Sequence, residues 1–259
     1  MLERFIAEAA PGEVAAVVRD IEVLSGGNYT EKQRVLGALE KHSIATLRIV
    51  RVNGTPTALT PHNHIEGNRF WSQGRTFEVN FKSGATSAVE EDESRALDGE
   101  ARRILGLVEA YAKEHYAEPV CDVFPAVEGG YAVVLAGEKL SPRNFFNGAW
   151  ASLYIIEDGD AARVTGDIQI DIHYFEDGNV RLKSSQHVEE TAAAGPIAAI
   201  KAAEDKYQAT LVSQLAQLNE REFKALRRQL PITRSQIMWN KGISGYKIGA
   251  ELQKREEGQ

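Results

Sequence analysis

His62, His64 and Glu66 fall within five residues and offer two imidazoles and a carboxylate, donors that a transition metal accepts. One such cluster in a polar stretch reads as a loop rather than a coordination shell. His173 stands near Asp171 and Glu176, the residue types of acid–base chemistry. Its place on the polar side of an alternating segment reads as a surface histidine. Cys121 has no base beside it in sequence and opens an apolar run, which suits a buried, inert thiol. Glu90, Glu91, Asp92 and Glu93 form a solvated acidic run. There is no GxSxG elbow, no phosphate-binding GK[ST] loop, no GxGxxG after a strand and no HExxH. The residues do not assemble an enzyme, and no cofactor or metal is expected.

Charge is more informative. The 259 residues carry 30 Lys and Arg against 37 Asp and Glu, a net charge of -7. Between Arg221 and Arg255 nine bases face two acids, a local +7, so the other 224 residues carry -14. A basic end on an acidic body is suited to an acidic partner. Lys224, Arg227, Arg228 and Arg234 bracket Pro231, and beyond them lies a mixed apolar and basic stretch. On a helix, Trp239, Ile243 and Tyr246 share one side, while Ile237, Met238, Ile248 and Leu252 gather on another. Gly242 and Gly245 would each cost such a helix about 1 kcal/mol relative to alanine. Two readings fit: an amphipathic arm that orders on a partner, or a last helix folded back on its own domain.

The elements that must carry this end are legible from periodicity. Leu2 to Ala9, Val14 to Leu24 and a segment from Thr30 with Val35, Leu36 and Leu39 repeat at helical spacing, separated by Pro11-Gly12 and Gly26-Gly27. Thr46 to Val52 and Phe77, Val79 and Phe81 alternate as strands do, and Ser83 to Asp98 reads as a loop. Ile104, Leu107, Val108, Tyr111 and His115 mark a helix ending near Pro119. Val120 to Ser185 reads as an antiparallel meander, with Ile168, Ile170, Ile172 and Tyr174 on one face of its best strand and Asp167, Gln169, Asp171 and His173 on the wet one. Ile197 to Leu218 is a long amphipathic helix expected to lie across that sheet. The first residues lack the basic start of a secretory signal, and no run approaches 18 apolar residues, so the expected setting is the cytoplasm.

The run Phe223-Lys224-Ala225-Leu226-Arg227-Arg228-Gln229-Leu230-Pro231-Ile232-Thr233-Arg234, with Trp239-Asn240-Lys241 and Tyr246-Lys247-Ile248-Gly249 after it, closely resembles the C-terminus of the F-actin-capping protein alpha subunit family. Ala10-Pro11-Gly12-Glu13, Asn144-Phe145-Phe146-Asn147-Gly148 before Trp150, and His173 through Val180 agree with that family in order and spacing. The resemblance runs from about residue 2 to about 252.

It implies an α+β fold in which residues 1–45 form a three-helix stalk, 46–120 a small strand region plus helix, 121–220 an antiparallel sheet shared with a beta subunit and crossed by a long helix, and 221–259 a basic segment ending in an amphipathic tentacle. The pair of subunits would be mushroom-shaped. The implied activity is calcium-independent capping of the barbed end of actin filaments in the actin cytoskeleton. Matched residue by residue, Lys224, Arg228 and Arg234 would meet acidic residues of actin, with Trp239, Ile243, Tyr246 and Lys247 completing the actin-binding set. The family is also associated with phosphoinositides, capping regulators and dynactin. A basic arm that binds anionic lipid or a regulator is therefore the alternative, and no nucleic acid is expected. The sequence departs from the family pattern at Phe146, where a Trp is usual, and at Ala149 and Ala151, where bases are usual. It also has one extra residue between the Trp-Asn-Lys and Tyr-Lys-Ile-Gly motifs, which rotates the second motif relative to the first by about 100° on a helix.

Overall fold

Three helices open the chain where apolar residues recur every three to four positions: α1 (Leu2–Ala7), α2 (Val14–Leu24) and α3 (Tyr29–Ala45). The computed structural model describes residues 2–26, 29–116, 118–126, 129–157, 163–176 and 179–218. The chain divides into two compact units, Met1–Tyr207 and Gln208–Gln259, and of the second the described residues, 208–218, are helical.

The apolar stripes of the helices converge on a first core. Ile6, Val18, Ile21, Val35 and Leu39 pack with Phe81 and with Val50, Val52, Phe70, Phe77 and Val79 from a set of short strands. These are β1 (Ile49–Val52) and β2 (Thr55–Ala58), which pair as a hairpin, and β3 (His64–Glu66), β4 (Arg69–Ser72), β5 (Arg75–Val79) and β6 (Thr86–Glu91), which form a four-stranded sheet in sequence order. Strand β6 lies in the stretch expected to be a loop. The acidic run starts inside it, with Glu90 and Glu91 opposite Thr76 and Arg75 of β5, and only Asp92 onwards turns away into a 3₁₀ turn at Glu93–Arg95. A weakly patterned exposed strand shows little period, so pairing with β5 decided its state. His64 and Glu66 likewise stand on strand β3 rather than in a loop.

Helix α4 (Gly99–His115) starts on Asp98, whose carboxylate accepts the Ala101 amide hydrogen at 2.7 Å. It leads into the meander that the alternation predicts: β7 (Val120–Pro125), β8 (Tyr131–Ser141), β9 (Phe146–Ile156), β10 (Arg163–Tyr174) and β11 (Val180–Thr191), five antiparallel strands in sequence order. Helix α5 (Pro196–Leu218) comes last. One face of the meander carries Ala132, Val134, Ala136 and Ala151, which pack with Leu47, Ala58 and Trp71 in a second core. The other face carries Val123, Val133 and Tyr154 side by side in register, with Ile168 two residues along β10 on the same face. That face receives α4 and α5, whose Ile104, Val108, Ala199, Ile200, Ala203 and Tyr207 are buried. Gly166 stands opposite Tyr154, and a side chain there would meet the Leu153 carbonyl at 2.3 Å, so only glycine lets the Tyr154 ring lie over β10.

Candidate functional site

The five-stranded sheet ends in β7 on one side and β11 on the other. Strand β7 is held to β2 on one face, where the buried Asp122 carboxylate accepts the Ala58 amide hydrogen at 2.9 Å. Burial pushes that carboxyl up to about 7, while the hydrogen bonds from Ala58 and Ser72 oppose the shift. At the far edge, β11 pairs with β10 along all twelve of its residues and, among the described residues, has no strand on its outer side. A long edge with unpaired amides and carbonyls is a template for another strand. Near its start Ile172, Tyr174, Val180 and Leu182 share one face, with Val180 62% and Tyr174 37% exposed. An apolar patch beside an open edge is suited to a protein partner.

Helix α5 is fixed to the sheet by a buried carboxylate. Glu204, 1% exposed, accepts hydrogen bonds from Tyr111 and Tyr116 at 2.6 Å on Oε2 and from Tyr154 at 2.9 Å on Oε1. Burial raises its pKa, against the three phenol hydrogen bonds, and burial beside this carboxylate raises the pKa of each phenol. The four groups therefore sit with their protons on the tyrosines, as structural hydrogen bonds rather than a catalytic relay. Tyr207, one turn on, meets Trp150 edge-on at 5.9 Å between ring centres. Periodicity places Glu204 within the stripe of Ile200, Ala203 and Tyr207, and a carboxylate in an apolar stripe is the sequence signal that could have found it.

The N-terminal helices are fixed at the other end of the sheet. His173, expected at the surface, is 6% exposed. Its Nδ1 lies 2.6 Å from Glu13 Oε1 and its Nε2 2.6 Å from Asn179 Oδ1. The strand face expected to be wet is covered here because the Ala-Pro-Gly-Glu segment lies on it. Gly12 has φ +79°, and a side chain there would press on Asn147 and Leu140 at 3.2 and 3.3 Å. Arg181 of β11 pairs with both oxygens of Asp171, at 2.8 and 2.5 Å, and donates to the carbonyls of Glu8 and Ala9. Between this segment, β1 and the sheet lies a cavity of about 810 Å³, walled by His42, Arg48, Glu138, Ala149, Asp171 and Lys183 among others.

No group of three metal-ligating side chains occurs among the described residues. His64 Nε2 meets the carbonyl of Gly67, in the turn between β3 and β4, at 2.9 Å, and the pKa of the His62 imidazole is pushed down by burial. Burial pushes the Cys121 thiol up to about 12, which leaves it unreactive at neutral pH. Lys224, Arg228, Arg234, Trp239, Ile243, Tyr246 and Lys247 all lie outside the described residues. No helix among the described residues is long and apolar enough to cross a membrane.

Comparison with known proteins agrees with this architecture. The sequence model of the family described as F-actin capping protein alpha subunit matches residues 2–251. The chain is 35% identical over 256 residues to the F-actin-capping protein subunit alpha of Yarrowia lipolytica, covering 97% of this chain and 94% of that one. It is 35% identical over 261 residues to the protein of the same name from Chaetomium thermophilum, with the same coverage. The structure of the homodimeric actin capping protein alpha subunit from Plasmodium berghei superposes with a TM-score of 0.72 at 15% identity, covering 88% of this chain and 94% of that one. That structural likeness speaks for the fold.

Proposed function

The chain belongs to the F-actin capping protein alpha subunit family, a non-enzymatic, actin-binding family, and on that premise we propose that it is the alpha half of a heterodimer that caps filament barbed ends. The observation that carries the reading is the open β11 edge. A beta subunit of similar fold would add its own outer strand there and turn five strands into a continuous sheet, while residues 1–45 would join the partner's helices as a stalk. The exposed patch of Tyr174 and Val180 would be covered in the same step.

Capping itself is assigned to the +7 segment from Arg221 to Arg255. Lys224, Arg228 and Arg234 would steer the heterodimer to acidic residues at the filament end and fix its register. Trp239, Ile243 and Tyr246 would add apolar burial, with Lys247 beside them. Direct charge pairing of this kind needs no calcium, so capping is expected to be equal with calcium and with chelator. Membership of a cytoskeletal family supports a setting in the actin cytoskeleton, and phosphoinositides and capping regulators are further candidates for the same segment.

The test is seeded actin elongation with the chain co-expressed with a beta subunit. Barbed-end growth should stop at substoichiometric heterodimer, and Arg228→Glu and Arg234→Glu should each weaken the effect. A well-folded heterodimer that leaves elongation unchanged overturns the capping assignment. Salt-sensitive binding to anionic vesicles in that case would assign the segment to lipid.

A further inference from the structure

The wall of the 810 Å³ cavity holds a cation that the chain itself does not neutralise. Lys183 of β11 stands directly opposite Asp171 of β10 in the sheet register, on the cavity face. Asp171 does not answer it. Both of its oxygens are taken diagonally by Arg181, in a geometry that holds carboxylate and guanidinium in one plane. Of the two other acids on the wall, Glu138 faces Arg48 and Glu118 makes no ion pair with Lys183. Among the described residues Lys183 has no ion pair and no hydrogen bond from its ammonium group, and in the single chain it is exposed.

Its surroundings are already positive. Burial first, and then the charges of Lys183, Arg48 and Arg181, hold the His42 imidazole down to about 4. Arg48, Arg51 and Lys183 line the cavity with Glu118, Glu138 and Asp171, and Arg181 beside them takes up Asp171, so four cations stand against three acids. Closing the cavity over Lys183 would bury an unpaired charge, which is unfavourable unless the covering chain supplies the opposite sign.

The open edge determines where that sign can come from. A strand added to β11 puts one side chain directly opposite Lys183 on the cavity face, with Cβ atoms about 5 Å apart. The next position on that face of β11, Ser185, also lines the cavity, so the added strand would roof it. We propose that the strand joining β11 delivers an acidic side chain opposite Lys183 into this cavity, and that the pair selects the partner. The proposal rests on the heterodimer reading given above and adds to it a required residue type at one register position. A partner with a neutral or basic residue there would leave the cation cluster uncompensated, so the pair acts by excluding wrong strands as well as by attracting the right one.

A zero-length carbodiimide, which joins an amine to a carboxylate in contact, tests this on the co-purified complex. Native mass first establishes that the heterodimer has formed. Peptide mapping should then find Lys183 joined to an Asp or Glu of the beta subunit. Lys183→Arg keeps the charge and should abolish that cross-link without altering assembly. Lys183→Glu should speed subunit dissociation by about tenfold, and Lys in place of the identified acid should restore it. An intact heterodimer without the cross-link, or with unchanged dissociation for Lys183→Glu, overturns the proposal while leaving the heterodimer reading in place. A cross-link to a second copy of this chain also overturns it and assigns the edge to self-association. Absence of any heterodimer overturns both.

Discussion

The Glu13 carboxylate lies 2.6 Å from Nδ1 of His173, across 160 residues of sequence. Glu13 precedes the first turn of α2, yet its side chain makes no capping bond to its own helix and reaches the sheet instead. The Ala-Pro-Gly-Glu and His-Tyr-Phe-Glu-Asp-Gly-Asn segments thus form one joint: Gly12 allows the close approach, Glu13 and Asn179 hold the two ring nitrogens, and the N-terminal helices are seated on the sheet.

Removing that joint should loosen the N-terminal helices before the sheet. His173→Ala leaves Glu13 and Asn179 without their partner and is expected to cost about 1–3 kcal/mol. Urea unfolding would measure the loss, and hydrogen exchange should quicken in residues 2–24 more than in β8 and β9. Uniform quickening throughout would show that the joint is not local.

Glu204→Ala should be among the most damaging single changes, because it takes this acceptor from the buried Tyr111 and Tyr154 and from the half-buried Tyr116. A loss of about 3 kcal/mol or more is expected, whereas Glu204→Gln, which keeps an acceptor oxygen, should lose less. Equal losses in the two variants would mean that the hydrogen bonds to Glu204 contribute little.

Asp122 gives the chain a pH signature of unusual sign. Its carboxyl is raised in the folded state to about 7 from the ordinary 3.8, so its contribution to stability is fully present below about 3.8 and is lost as pH rises through 7. The slope is at most about 1.4 kcal/mol per pH unit. Asp122→Asn, which can keep an acceptor for the Ala58 amide, should flatten the stability profile between pH 4 and 7. A wild-type profile of the same shape would remove Asp122 from that slope.

Acid should act on His42 in the opposite sense. Its folded pKa, about 4, lies below the unfolded 6.5, so its contribution is present above 6.5 and is lost as pH falls through 4. Imidazole titration by NMR in the isolated chain should find this ring neutral at pH 5. A midpoint near 6.5 would show that neither burial nor the nearby cations hold it down.

The open edge should be visible in solution. Alone, at micromolar concentration, the chain is expected to associate through β11, and co-expression with a beta subunit should suppress this. Light scattering distinguishes the two states, and a stable monomer would count against the edge as the reactive surface.

Local pattern alone located most elements. The period of two along Ile168, Ile170 and Ile172 and the period near four along Ile200, Ala203 and Tyr207 are properties of neighbouring residues, so β10 and α5 were legible where the backbone geometry repeats. The antiparallel meander was legible for the same reason, and the motif resemblance identified the family from residues that include the basic C-terminal run, outside the described part of the chain. Partners distant in sequence were not legible. Strand β6 exists because β5 pairs with it, His173 is buried because Glu13 arrives from the N-terminus, and Glu204 is tolerated because Tyr111, Tyr116 and Tyr154 converge from a helix, its C-terminal cap and a strand. The sequence by itself determined which segments are helix or strand and which end of the chain is basic, since each depends on spacing within a few residues. Tertiary structure alone decided which polar groups are buried and which sheet edge stays open, because the free energy of a buried polar group is set by the atoms brought to it from elsewhere in the chain.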